Sequence, residues 1–126
     1  MGYTVVAVGG GIGALARYWL STWILGLTGA GFPWGTFAVN VIGSFVIGLV
    51  MVLSIDRNLI SPEARLLLTT GFCGGLTTFS TFSAEVVALV QLNRFVSAAG
   101  AVLVHVSGSL VMTLLGMASW QWIGSR

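Results

Sequence analysis

From Gly35 to Ile55 the chain runs without one charged residue, and stretches of similar length and character lie on either side of it. About 20 predominantly apolar residues cross the hydrocarbon core of a bilayer, so this pattern constrains the fold more than any local motif. Four such spans can be marked: Thr4 to Leu27, interrupted only by Arg17; Gly35 to Ile55; Arg65 to Leu92; and Phe95 to Ile123. Gly29, Gly31 and Pro33 punctuate the first connection, and Asp56, Arg57 and Asn58 return the second span to water. Ser61, Pro62 and Glu63 form a helix start, with proline in a first turn where its missing N–H costs nothing. Asn93 and Arg94 make a tight turn before the last span. The expectation is one all-α integral membrane domain over residues 1–126, with four transmembrane helices.

Only five Lys and Arg and three Asp and Glu occur among 126 residues, of which 56% are hydrophobic. A soluble domain carries about a quarter charged residues, so a soluble globular enzyme is excluded. The net charge of +2 arises from five scattered arginines, which make no basic patch for nucleic acid. A single cysteine, Cys73, can form neither an internal disulfide nor a multi-cysteine metal site. The amino terminus lacks a basic region before its apolar stretch, and reads as a retained first helix rather than a signal peptide. Four spans put both termini on one side, with Arg57, Arg65 and Arg126 there and Arg94 opposite. So slight a bias leaves both insertion orientations open.

The third span is unusual. Gly71 to Ser83, GFCGGLTTFSTFS, puts glycines and hydroxyl residues at membrane depth, which serves a continuous helix poorly. Non-helical backbone is tolerated in a bilayer only where it is buried in protein or lines a wet cavity, so a break here predicts a functional centre. Asn40 lies in an uncharged span and must satisfy its amide inside the protein, as helix glue or as a donor on a polar path. Phe79 and Phe82, spaced i, i+3, share a helix face; they serve packing, or present electropositive ring edges to an anion. Arg17 lies roughly 15 Å inside the first span at 1.5 Å per residue, as a snorkelling or carbonyl-clamping cation or as a lure for anions. Glu85 lies about 10 Å inside the third span, as a functional carboxylate or a protonated structural one. His105, with no ligand cluster around it, reads as a structural histidine bonded to a neighbour. Gly9, Gly11 and Ala14 match a dinucleotide fingerprint, but the acidic residue required about 20 positions later is missing. Gly9 and Gly13 instead form a small-xxx-small pair for close helix approach.

The segment Gly71 to Glu85, GFCGGLTTFSTFSAE, closely resembles the signature of the CrcB/Fluc fluoride channel family. GGGIGALARY in the first span, PWGTFAVNVIGS before and within the second, and VHVSGSLVMTLLG in the fourth agree with it in order, so the resemblance covers essentially the whole chain. It implies a four-helix subunit with a broken third helix, paired as an antiparallel dual-topology homodimer in a bacterial cytoplasmic (inner) membrane. It further implies two fluoride pores and a central structural sodium ion. By that resemblance the third helix breaks over Gly74 to Thr78, and the backbone carbonyls of Gly74 and Thr77 from both subunits hold the sodium. Hard oxygen ligands suit such a cation. Phe79 and Phe82 match the phenylalanines whose ring edges face fluoride, and Asn40 matches the asparagine that donates to the ion path. Ser80, Thr81, Ser83, Ser109 and Thr113 match or adjoin its polar track, while Glu85 and Arg17 are vestibule and scaffold charges. Neither Cys73 nor His105 acquires a role.

The expected activity is passive, selective fluoride conduction out of a cell in which weak-acid HF entry has concentrated the ion. Such a pore replaces the water of a small, strongly hydrated anion with close neutral donors, and contacts weak enough to permit exit. A dual-topology multidrug transporter is the nearest rival, but that class needs a carboxylate in its first helix, where this chain has Arg17. An inert assembly subunit would leave the hydroxyl cluster from Thr77 to Ser83 unexplained.

Overall fold

A computed structural model describes residues 1–124, with side chains through Trp122; Arg126 lies outside the described residues. The chain is helical almost throughout. Helix α1 spans Gly2–Thr28 and α2 spans Trp34–Met51, the latter running on into a π-helical turn over Val52–Asp56. A third rod begins as α3, Pro62–Leu66, continues as a π-helical segment, Leu67–Cys73, and closes with the single turn α4, Gly74–Leu76. Helices α5, Phe79–Gln91, and α6, Phe95–Gly124, follow.

Local chemistry sets the ends. Ser61 accepts the Ala64 N–H at 3.2 Å ahead of Pro62, satisfying one of the orphan donors of a helix start. After α5, Asn93 takes a left-handed conformation at φ 57°. The Arg94 N–H then bonds Leu89 O at 2.8 Å and the Asn93 N–H bonds Val90 O at 2.9 Å. These are the paired bonds of a Schellman cap, and they turn the chain into α6 within two residues. Gly29, at φ 73°, ends α1 with its N–H on Leu25 O.

Among the described residues, three helical runs are long and apolar enough to cross a membrane: Trp34–Asp56, Pro62–Gln91 and Phe95–Trp122, with mean hydropathy 2.4, 1.3 and 1.8. Helix α1 has 27 residues, but its glycines and Arg17 dilute its apolar character.

Glycine lets these helices approach backbone to backbone. A Cβ on Gly13 would lie 2.1 Å from Phe72 O, and one on Gly75 would lie 2.3 Å from Gly10 O, which joins α1 to the third rod. Helices α2 and α6 cross in the same way, since Cβ atoms on Gly48 and Gly116 would each lie 2.1 Å from the facing carbonyls of Thr113 and Phe45. Such small-residue crossings draw their stability from van der Waals contact, because lipid supplies no hydrophobic drive between helices. Buried Val39, Cys73 and Leu76 fill the centre, and Leu89, Ala98 and Ala101 form a smaller core between α5 and α6.

Candidate functional site

Helical bonding stops at Leu76 and resumes at Phe79. Thr77 and Thr78 between them are extended, at φ −85°, ψ 156° and φ −154°, ψ 111°. The interruption is narrower than the Gly74 to Thr78 expected from the sequence, because Gly74–Leu76 still makes a helical turn. Its cause lies on α2. In a continuous helix the Thr78 N–H would bond the Gly74 carbonyl; here it bonds Asn40 Oδ1 at 2.8 Å, while Asn40 Nδ2 donates to Thr78 O at 3.2 Å. One side-chain amide therefore satisfies both backbone groups of Thr78. Gly43, three residues further along α2, leaves room for Thr77, whose Cγ2 would crowd a Cβ there.

Thr78 then caps α5. Its hydroxyl accepts the Thr81 N–H at 3.1 Å, donates to Thr81 Oγ1 at 3.0 Å, and lies 3.2 Å from Ser80 Oγ. Ser80 and Thr81 thus belong to the capping network. The Ser83 hydroxyl turns back to Phe79 O at 2.8 Å, and that of Thr113 to Ser109 O at 3.0 Å.

At the amino end of α5 lies a cavity of about 380 Å³. Asn40 and Ser44 of α2 line one side; Thr77, Thr78, Phe79 and Phe82 line another; His105 and Ser109 of α6 complete it. Among the described residues, no Asp, Glu, Lys or Arg lines it. Of the residues singled out in the sequence, the cavity gathers Asn40, Thr77, Phe79, Phe82 and Ser109, whereas Gly74, Ser80, Thr81, Ser83, Thr113, Arg17 and Glu85 lie outside its lining. Phe82 is buried, at 7% exposure, and Phe79 is 77% exposed; their ring centroids are 5.4 Å apart. Ser44 and His105 line the cavity without having been assigned to it from the sequence. The available signal was spacing: Ser44 is one turn beyond Asn40 on α2, and His105 one turn before Ser109 on α6.

Glu85 and Arg17 lie beside this cavity. Glu85 lines a neighbouring cleft of about 160 Å³ with Thr36, Thr81 and Ser21. Its Oε1 accepts the Thr36 hydroxyl at 2.8 Å, and its Oε2 is buried without a partner. Arg17 Nη1 approaches Thr77 O at 3.5 Å, the outer limit of a hydrogen bond, so the guanidinium faces the carbonyl end of α4.

Among the described residues no group of three or more His, Cys, Asp or Glu could hold a metal ion, so a cation here would depend on backbone oxygens. The break supplies them. Asn40 has taken the donor that would otherwise meet Gly74 O, and Thr77 O receives only the long Arg17 contact and keeps a second lone pair. These are hard oxygen ligands, and they fit an alkali cation better than a transition metal.

Residues 4–117 match the family described as CrcB-like protein, Camphor Resistance (CrcB). The chain is 50% identical over 118 residues to the fluoride-specific ion channel FluC of Chromobacterium violaceum, covering 94% of this chain and 93% of that protein. It is 48% identical over 122 residues to the protein of the same name from Geotalea daltonii, covering 95% and 98%. A third, from Pseudomonas aeruginosa, is 51% identical over 118 residues, covering 94% and 92%. These relatives are named as ion channels, not enzymes. With the match running from the first helix nearly to the end of the last, the chain belongs to the CrcB family.

Proposed function

We propose that this chain is a fluoride channel that lets fluoride leave the cell passively across a bacterial inner membrane. The observation that carries this reading is the cavity at the break: it combines an amide, hydroxyls, two phenylalanine rings and a helix amino terminus, and among the described residues no ionised side chain lines it. A helix amino terminus favours an anion. Hydroxyl and amide hydrogens replace the hydration of a small anion, and the ring edges of Phe79 and Phe82 add weaker attraction. Leaving a full positive charge out of the path keeps binding weak enough for exit. The names of the relatives point the same way.

In this reading α1 is a fourth crossing, and the third crossing is interrupted at Thr77–Thr78. Two copies pair in opposite orientations, giving two pores per dimer, with Phe79 exposed on the subunit so as to meet the second copy. Asn40, Phe79, Phe82 and Ser109 line the fluoride path, while Ser80, Thr81, Ser83 and Thr113 extend its polar side. Glu85 serves the adjoining vestibule, and Arg17 braces the break from α1. The carbonyls of Gly74 and Thr77 from the two copies would hold one sodium ion, whose charge would fasten the two breaks together.

The test is fluoride efflux from liposomes containing the purified protein, compared with chloride. Fluoride efflux well above chloride efflux is expected; no fluoride flux, or equal flux of both anions, refutes the reading. The sodium component predicts lower dimer stability when lithium or a large organic cation replaces sodium, and equal stability in all three would remove it.

A further inference from the structure

His105 is the only histidine in the chain, and imidazole is the side chain that ordinarily changes charge between pH 5 and 8. It lines the cavity with Asn40, Phe79, Phe82 and Ser109 and is 4% exposed. Its Nδ1 lies 2.9 Å from Ala101 O, one turn back on α6. A carbonyl only accepts, so Nδ1 carries the hydrogen and Nε2 of the neutral ring has a bare lone pair. Nε2 is buried and has no hydrogen-bond partner. The ring is held by the Phe82 ring, with centroids 4.5 Å apart and planes 32° apart, and by the edge of Phe37 at 5.4 Å.

We infer that His105 is a proton-operated anion trap on the conduction path. The inference deepens the fluoride-channel reading and rests on it. While the ring is neutral, the Nε2 lone pair offers an anion nothing, and passage depends on the weak neutral donors around it. A proton on Nε2 converts that atom into an N–H donor carrying charge, without disturbing the Nδ1 bond to Ala101. Charge-assisted bonds are about twice as strong as neutral ones, so an anion beside the charged ring dwells longer and the path slows. The charged groups of the surrounding elements are Arg17 of α1, at the Thr77 carbonyl, and Glu85 of α5, held by Thr36 of α2. Neither is hydrogen-bonded to the ring, and α6 contributes no further charge near it. Proton uptake at His105 therefore changes the charge of the cavity by a whole unit.

Fluoride current across planar bilayers, measured from pH 8 to pH 4, tests the inference, because HF crossing the lipid carries no current. The wild-type current is expected to fall about tenfold once the ring is charged, the same preference that moves a titration midpoint by about one pH unit, whereas His105→Gln and His105→Tyr give flat profiles. A flat or rising wild-type profile, or the same fall in either variant, overturns the trap. Absence of fluoride current at pH 8 instead refutes the channel reading beneath it. The single histidine permits a second readout that needs no variant. If the charged ring holds fluoride, linkage requires saturating fluoride to move the imidazole ¹⁵N titration midpoint upward, by about one pH unit for a tenfold preference. An unmoved midpoint also overturns the inference.

Discussion

Replacing Asn40 by alanine removes both bonds that hold the break open, the 2.8 Å bond from the Thr78 N–H and the 3.2 Å bond to Thr78 O. Each partly buried backbone group left unsatisfied costs about 1–3 kcal/mol, so the loss of stability is expected at about 2–6 kcal/mol. The Thr78 N–H can recover a partner by turning to Gly74 O, but that closes the break and dismantles the cavity. Either result suppresses transport. At the lower bound, about 2 kcal/mol shifts the balance between open and closed break by about thirtyfold, and fluoride efflux should fall well below that of the wild type. Ser44→Ala is the control: Ser44 lines the same cavity one turn along α2 and makes no side-chain bond comparable to the Asn40 clamp, so its loss should stay within about 0.5 kcal/mol. The assays are denaturant unfolding in detergent and liposome efflux. If Asn40→Ala proves as mild as Ser44→Ala in both, the amide does not hold the break and the argument fails.

The two phenylalanines should separate stability from transport. Phe82→Ala, at a buried position, is expected to cost about 3–5 kcal/mol, while Phe79→Ala loses only the ring pair, about 0.5–1.5 kcal/mol; milder Ile replacements at both should cut fluoride efflux, and unchanged efflux in both would remove the ring-edge contribution. Gly116→Ala should lower the thermal midpoint in detergent, since its Cβ would lie 2.1 Å from Phe45 O and overpacking costs about 1–3 kcal/mol; an unaltered midpoint would show that the α2–α6 crossing has slack. Thr36→Val should destabilise by about 1–3 kcal/mol, because Glu85 would lose its hydroxyl donor, and Thr36→Ser should restore most of that; equal behaviour of the two variants would show that the bond contributes nothing.

The sequence disclosed what depends on local or periodic chemistry. Pro62 after Ser61 marked a helix start, Asn93 before Arg94 marked a two-residue turn, and uncharged length marked the long helices. Glycine and threonine density marked a weak point near Gly71 to Ser83. Its position was not legible, because a helix inside a membrane keeps its backbone bonds until another partner is offered. That partner, Asn40, is 38 residues away in sequence, and no spacing rule connects it to Thr78. The same limit hid the place of His105. A lone histidine in an apolar helix gives no sign of which helix it faces, and only the packing of α5 on α6 brings it against Phe82. Arg17 was legible as a snorkelling or carbonyl-clamping cation or a lure for anions, and only the packing directs it at Thr77.

The glycine crossings carry a consequence for the route of the ion. Where α1 meets the third rod and where α2 meets α6, main chain rests on main chain, and a single methyl group would not fit at Gly13, Gly48, Gly75 or Gly116. Seams this tight leave no space between the helices at those crossings. The cavity lies along a flank, with Phe79 turned outward at its lip. One subunit is thus a grooved wall and not a tube, and in the dimer proposed above the second copy would be the surface that closes the groove.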